Sequence, residues 1–156
     1  MIFATVGTQL PFPRLIDALD ALAPRLAVPV VAQIGTAEGS WPSLDLRATL
    51  TPAEFEALFT SAQVIVAHAG IGTILSARRW HKPLVILPRR HALGEHRNDH
   101  QLATARQVSG LPGIYVAWET EDLGQLLTRT DLAPASDASS HALDGLVNRL
   151  RQVISA

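Results

Sequence analysis

Short apolar runs alternate along this chain with longer segments whose apolar residues recur at helical spacing. Residues 2–6 predict a buried strand, and Gly7, Thr8 and Gln9 open the loop after it. Pro13 suits a first helical position. Leu15, Ile16, Leu19, Leu22 and Ala23 then keep one face apolar until Pro24 ends the helix. Strands are expected at residues 28–34 and 46–50, with a loop at 37–42 between them. Thr51 and Glu54 have the spacing of a capping box, and Leu50 and Phe55 stand where a hydrophobic staple would. Phe55, Leu58, Phe59 and Ala62 supply that helix's apolar stripe.

The rhythm continues in the second half. Val64, Ile65, Val66 and Ala67 predict a strand ending at His68, after which Gly70 and Gly72 lead into the helical spacing of Ile71, Ile74 and Leu75. Further strands fall at 83–87 and 114–118, and helices at 98–108 and 121–127, the last capped by Thr120. Residues 132–140 read as a linker, and a C-terminal helix within 138–156 carries an apolar stripe from Leu143 to Ile154, read most simply as core packing, with docking of a partner as the alternative.

Continuous apolar strands between amphipathic helices predict βαβ units and a parallel sheet. The expected fold is α/β, a single Rossmann-like three-layer domain over residues 1–156 with a mostly parallel sheet. In such sheets the ligand sits beyond the C-terminal strand ends. Loops beginning at Gly7, Gly35, His68 and Pro88 would then share one rim.

Composition sharpens this picture. A chain of 156 residues, 47% apolar and 17% charged, has the size and make-up of one compact domain. Without cysteine it forms neither disulfides nor thiolate metal sites. The first residues lack a basic flank and reach Gly7 too soon for a signal peptide, so a cytoplasmic location is expected. No apolar run has membrane-spanning length. A net charge of -1 disfavours nucleic acid as a partner. Yet seven of the 13 Lys and Arg residues lie between Arg78 and Arg106. Arg78, Arg79 and Arg106 read as solvated helix faces. Arg89 and Arg90, closing an apolar strand, read as anion-binding.

A strand that passes through glycines into a helix start aims free backbone amides and the helix dipole at one place, where a phosphate can bind. Gly70 and Gly72 alone are weak evidence. Leu75 occupies the place of the third dinucleotide glycine, and no acid follows at the next strand end, which argues against NAD. No Walker lysine follows either. A phosphate site built from the amides around Gly70, Ile71, Gly72 and Thr73 survives, with His68 read as a ligand contact over a core histidine. Gly94 to Gln101 is polar throughout: Glu95, His96, Arg97, Asn98, Asp99, His100 and Gln101 suit hydrogen bonding to a sugar. A zinc site from His91, His96 and His100 ranks below that reading, and an ordinary exposed helix start third. Phe12, between Pro11 and Pro13, reads as a rim residue free to meet a partner.

The segments from His68 to Thr73 and from Pro88 to Gln101 resemble the donor-binding half of GT-B glycosyltransferases, in the family of the peptidoglycan GlcNAc transferase. Closer likeness is to split enzymes: the catalytic subunit of the dolichol-linked GlcNAc transferase, and bacterial exopolysaccharide subunits that transfer glucuronic acid or galactose. Val6 to Gln9 and Lys82 to Val85 add to the likeness, which runs to about Trp118. The resemblance implies that Gly70, Ile71, Gly72 and Thr73 hold a UDP pyrophosphate, that the base lies near Leu50 and Thr51, and that His100 and Gln101 contact the donor sugar. Many relatives place a ribose-binding glutamate where this chain has Ser76.

The resemblance further implies an inverting, UDP-sugar-dependent subunit without cofactor or metal. It would act on a lipid-linked saccharide in bacterial exopolysaccharide synthesis, peripherally at the inner face of the membrane. A membrane-anchored acceptor-binding subunit would supply the catalytic base, and whether the isolated chain forms a homo-oligomer through the same face is left open by the sequence. UDP-glucuronate, paired with Arg89, Arg90 or Arg97, is the specific donor expected. The alternatives are a non-catalytic nucleotide-sugar-binding module and a metal-dependent hydrolase using His91, His96 and His100.

Overall fold

The computed structural model describes residues 1–136, together with Gly145 and Asn148. Strands β1 (Ile2–Thr5), β2 (Val30–Gln33), β3 (Asp45–Arg47), β4 (Val64–His68), β5 (Leu84–Leu87) and β6 (Ile114–Val116) form one sheet in the order β3-β2-β1-β4-β5-β6. Every pairing is parallel, so the sheet is wholly rather than mostly parallel. The order reverses between β1 and β4, which lie side by side, with Thr5 opposite Ala67. A parallel sheet needs crossovers. Helices α1 (Pro13–Leu22), α2 (Pro52–Ser61), α3 (Ile71–Arg79) and α4 (His100–Val108) supply four of them, residues 34–44 cross from β2 to β3 without a helix, and α5 (Glu121–Leu127) follows β6.

Alternation along the strands builds two cores, one on each face. Ile2, Ala4, Val66, Val85 and Leu87 face one side, where they meet Leu15, Ile16 and Leu19 of α1 and Leu123 and Leu127 of α5. Phe3, Ile65, Ala67, Leu84 and Ile86 face the other, against Phe59 of α2, Ile74 and Ala77 of α3, and Ala105 and Val108 of α4. Strands covered on both faces have no solvated side to mark with polar residues, hence their continuous apolar runs.

Three local expectations change. β3 covers Asp45–Arg47 and is exposed along its length, because Leu50 packs with Phe55 beside the α2 core instead of extending the strand. Phe12 is fully buried as the residue before α1, with the Arg89 and Arg14 guanidiniums 4.7 and 5.5 Å from its ring centre, so its side chain offers no surface to a partner. Thr120 makes no side-chain cap, and its backbone is already helical; Asp122 accepts the Glu119 amide at that end. The capping box at Thr51 and Glu54 forms as expected, with both bonds at 3.1 Å. The apolar residues of the C-terminal stripe lie outside the described residues; Gly145 and Asn148, within the same segment, are helical.

Candidate functional site

A cleft of about 1040 Å³ opens over the C-terminal ends of β1, β2 and β4, where the strand order reverses. Its size is in the upper range for small-ligand sites. One wall is the β1 loop, Gly7, Thr8, Gln9 and Leu10. The far wall is Gly35, Thr36, Ala48, Thr49, Leu50 and Phe55. The floor is His68 and the start of α3, including Gly70, Ile71, Gly72, Thr73 and Ser76, with Arg89, His96 and Gln101 behind it.

The α3 start carries the local chemistry. Gly70 precedes the helix in extended conformation, no side chain caps it, and the Ile74 amide bonds back to the Gly70 carbonyl at 3.2 Å. The preceding amides, of Ile71, Gly72 and Thr73, lie beyond the reach of intrahelical bonding and border the cleft. The two glycines differ in purpose. A Cβ on Gly72 would meet nothing within 4 Å, so its backbone lies open to a ligand. A Cβ on Gly70 would come within 2.3 Å of His68 Cε1, and one on Gly7 within 2.8 Å of His68 Nε2. The imidazole is therefore sandwiched between two glycines that make room for it.

Burial, followed by the charges of Arg89 and His96, pushes the His68 pKa down to about 4. The ring is neutral at physiological pH, as desolvation without an acidic partner requires. His96 is shifted the same way, chiefly by burial and with Asn98 opposing.

Arg89 lines the cleft, but its guanidinium is engaged elsewhere. It donates to the carbonyls of Val6, Leu10 and Pro11, each at 2.7 Å, and the residue is 2% exposed. It fixes the β1 loop and contributes positive potential from behind the floor, in place of the direct anion contact expected. Arg90 points away, to the Trp118 carbonyl at 2.7 Å and Glu119 at 2.9 Å. Glu95 receives Arg14 in a two-bond pair at 2.8 and 2.9 Å and the Arg90 amide at 3.0 Å.

The polar run thus folds largely onto itself. Asn98 accepts the His100 amide, and Asp99 accepts the His91 amide, both at 3.0 Å. Arg90, Glu95, Arg97, Asn98, Asp99 and His100 do not line the cleft, whereas His96 and Gln101 do. Short polar side chains at a loop-to-helix junction satisfy nearby backbone amides first, and this competes with ligand contact. The zinc reading is not supported either. Among the described residues no three His, Cys, Asp or Glu side chains group to hold a metal, and His91 Nδ1 lies 3.1 Å from the His96 carbonyl.

Thr36 and Thr49 are exposed cleft residues that sequence reading passed over, and Ser76 lines the cleft beside them. No motif marks the two threonines; only the strand order brings the ends of β2 and β3 to this wall. Gln33 is also in the wall, but it bonds Thr5 at 2.7 Å and the Gly7 and Ala48 carbonyls at 3.3 Å, joining three strand ends. Leu50 lines the cleft, while the Thr51 hydroxyl is engaged in the helix cap.

A parallel sheet in this order, with a cleft at its reversal and a glycine-opened helix beneath, defines a Rossmann-like domain of the kind that binds nucleotides. The chain belongs to glycosyltransferase family 28: residues 1–142 match the Glycosyltransferase family 28 C-terminal domain. It is 33% identical over 103 residues to the UDP-N-acetylglucosamine transferase subunit ALG13 of Eremothecium gossypii, a match covering 63% of this chain and 49% of that protein. The chain thus spans about half the length of that curated relative. Among solved structures it shares its fold with Acinetobacter baumannii MurG (TM-score 0.63, 19% identity, 96% of this chain, 49% of that one). It shares it also with the solution structure of ALG13 (TM-score 0.61, 17% identity, 96% and 93%). The expected GT-B donor-half architecture is confirmed.

Proposed function

We propose that this chain is the donor-binding subunit of an inverting glycosyltransferase that takes a UDP-sugar. The observation that carries the proposal is the uncapped start of α3, with Gly72 open to a cleft large enough for a sugar nucleotide. As the glycosidic bond to the donor breaks, negative charge grows on the departing diphosphate. Amides and a helix dipole already aimed there stabilise it without reorganising. The neutral His68 adds a hydrogen-bond donor, and Arg89 adds positive potential through the floor. Thr36, Thr49 and Ser76 are the hydroxyls placed to receive the ribose in the absence of a glutamate.

The match to a family's C-terminal domain, and to a relative named as a transferase subunit, supports an acceptor half on a separate protein. That half would be membrane-anchored, hold the catalytic base and bind a lipid-linked saccharide in surface polysaccharide assembly. This chain would then be cytoplasmic and peripheral to the membrane. With Arg89 and Arg90 engaged elsewhere, a preference for UDP-glucuronate would require Arg97, exposed and outside the cleft lining, to turn toward the donor.

Calorimetry against a panel of UDP- and GDP-sugars tests the donor site. Binding of UDP-sugars that is lost in Gly72→Leu is the expected result. The added Cβ meets nothing within 4 Å and leucine favours a helix over glycine, so folding stability should stay equal to or above that of the native chain. Equal affinity in the variant would remove the α3 start from the site, and no binding to any nucleotide sugar would overturn the donor reading.

A further inference from the structure

Gln101 occupies an unusual position for a residue at a helix start. It is 8% exposed, and its carboxamide reaches three groups at once. Oε1 accepts the Ala69 amide at 3.2 Å and the Arg89 amide at 3.0 Å, tying the ends of β4 and β5 together. Backbone amides only donate, so the atom they share must be the oxygen and the amide cannot be flipped. The atom 3.1 Å from His68 Nδ1 is therefore the nitrogen, which only donates. His68 Nδ1 must accept. A neutral imidazole that accepts at Nδ1 carries its proton on Nε2.

We infer that Gln101 is a positioning residue that holds His68 in the Nε2–H tautomer and directs that N–H into the cleft, as a neutral donor to an oxygen of the bound diphosphate. This rests on the donor-site reading above and assigns Gln101 a role other than the sugar contact that family resemblance implies. Two further observations support it. Of the two His68 ring nitrogens only Nδ1 has a hydrogen-bond partner among the described residues, and the residue lines the cleft, so the remaining donor, Nε2, is unengaged. The ring also packs between Gly7 and Gly70, where a Cβ on either would collide with it. The charged and titratable groups facing it are Arg89 and His96, while Glu95 is drawn off by Arg14. Among the described residues no carboxylate is placed to stabilise a doubly protonated ring, so the donor is neutral at physiological pH.

Gln101→Glu tests this with almost no change of shape. The carboxylate still accepts the Ala69 and Arg89 amides, so the tie between β4 and β5 survives, but it accepts from Nδ1 where the amide donated. The ring then either takes a second proton or moves its single proton to Nδ1, leaving a bare lone pair on Nε2. Nitrogen-15 NMR of the free protein at pH 7 should show His68 protonated at Nε2 in the native chain, and protonated at Nδ1 in the variant. UDP affinity of the variant, taken relative to the native chain at each pH, should fall roughly tenfold between pH 6 and 8.5, about one hydrogen bond's worth. Native His68 protonated at Nδ1, or a variant whose pH profile parallels the native one, overturns the inference. The tautomer is read without ligand, so failure of UDP to bind would sink the donor reading and leave the tautomer result to be judged separately.

Discussion

Arg89 and His68 show how one cation and one neutral ring divide the work of a site. Arg89 touches three carbonyls of the β1 loop, 78 to 83 residues away in the chain, and gives that wall its shape. Nothing in its neighbours announces this, and a guanidinium at a strand end reads equally well as an anion ligand. His68 was legible as a strand-end histidine followed by two glycines, but its neutrality depends on burial and on Arg89. That neutrality has a measurable consequence. The folded-state pKa is near 4 and the unfolded value near 6.5, so between these pH values the unfolded chain binds more protons. Stability is therefore full above about pH 6.5 and falls as the pH drops toward 4, by up to roughly 3 kcal/mol. Urea denaturation at pH 7 and pH 5 should show the loss, and His68→Asn should flatten it.

The helices were placed by their periodicity, and their ends by particular side chains. The α2 start is the clearest case, since Thr51 and Glu54 satisfy each other's backbone within four residues. Family resemblance placed the nucleotide base near Thr51, yet the hydroxyl is already engaged. Thr51→Ala should accordingly cost about 1 kcal/mol of stability and leave UDP affinity unchanged, as urea melts and calorimetry on one sample would show. The start of α4 was harder to read. Residues 98 and 99, expected as helix, form the turn before it, because Asn98 and Asp99 each capture an amide locally. The same captures remove most of the polar run from the cleft. Residue type alone does not distinguish a side chain that closes a turn from one that meets a sugar.

Under the proposed division of roles, the six strands and five helices of the described residues would be one half of a two-part enzyme. By that reading the isolated chain binds a UDP-sugar and turns nothing over. Transfer to a lipid-linked saccharide should appear only when an acceptor-binding subunit is added, as radiolabelled product extracted into the lipid phase; turnover by the chain alone would overturn the division of roles. Apolar period, capping residues and glycine placement gave the parallel α/β architecture and the uncapped, glycine-opened α3 start, because those signals arise among residues close in the chain. They also gave the family likeness, since the motifs are contiguous. The cleft's far wall, the burial of Phe12, the loop held by Arg89 and the tautomer set by Gln101 were decided only by the packed sheet. Each depends on hydrogen bonds or contacts between segments brought together by strand order, and no local pattern encodes a partner dozens of residues away.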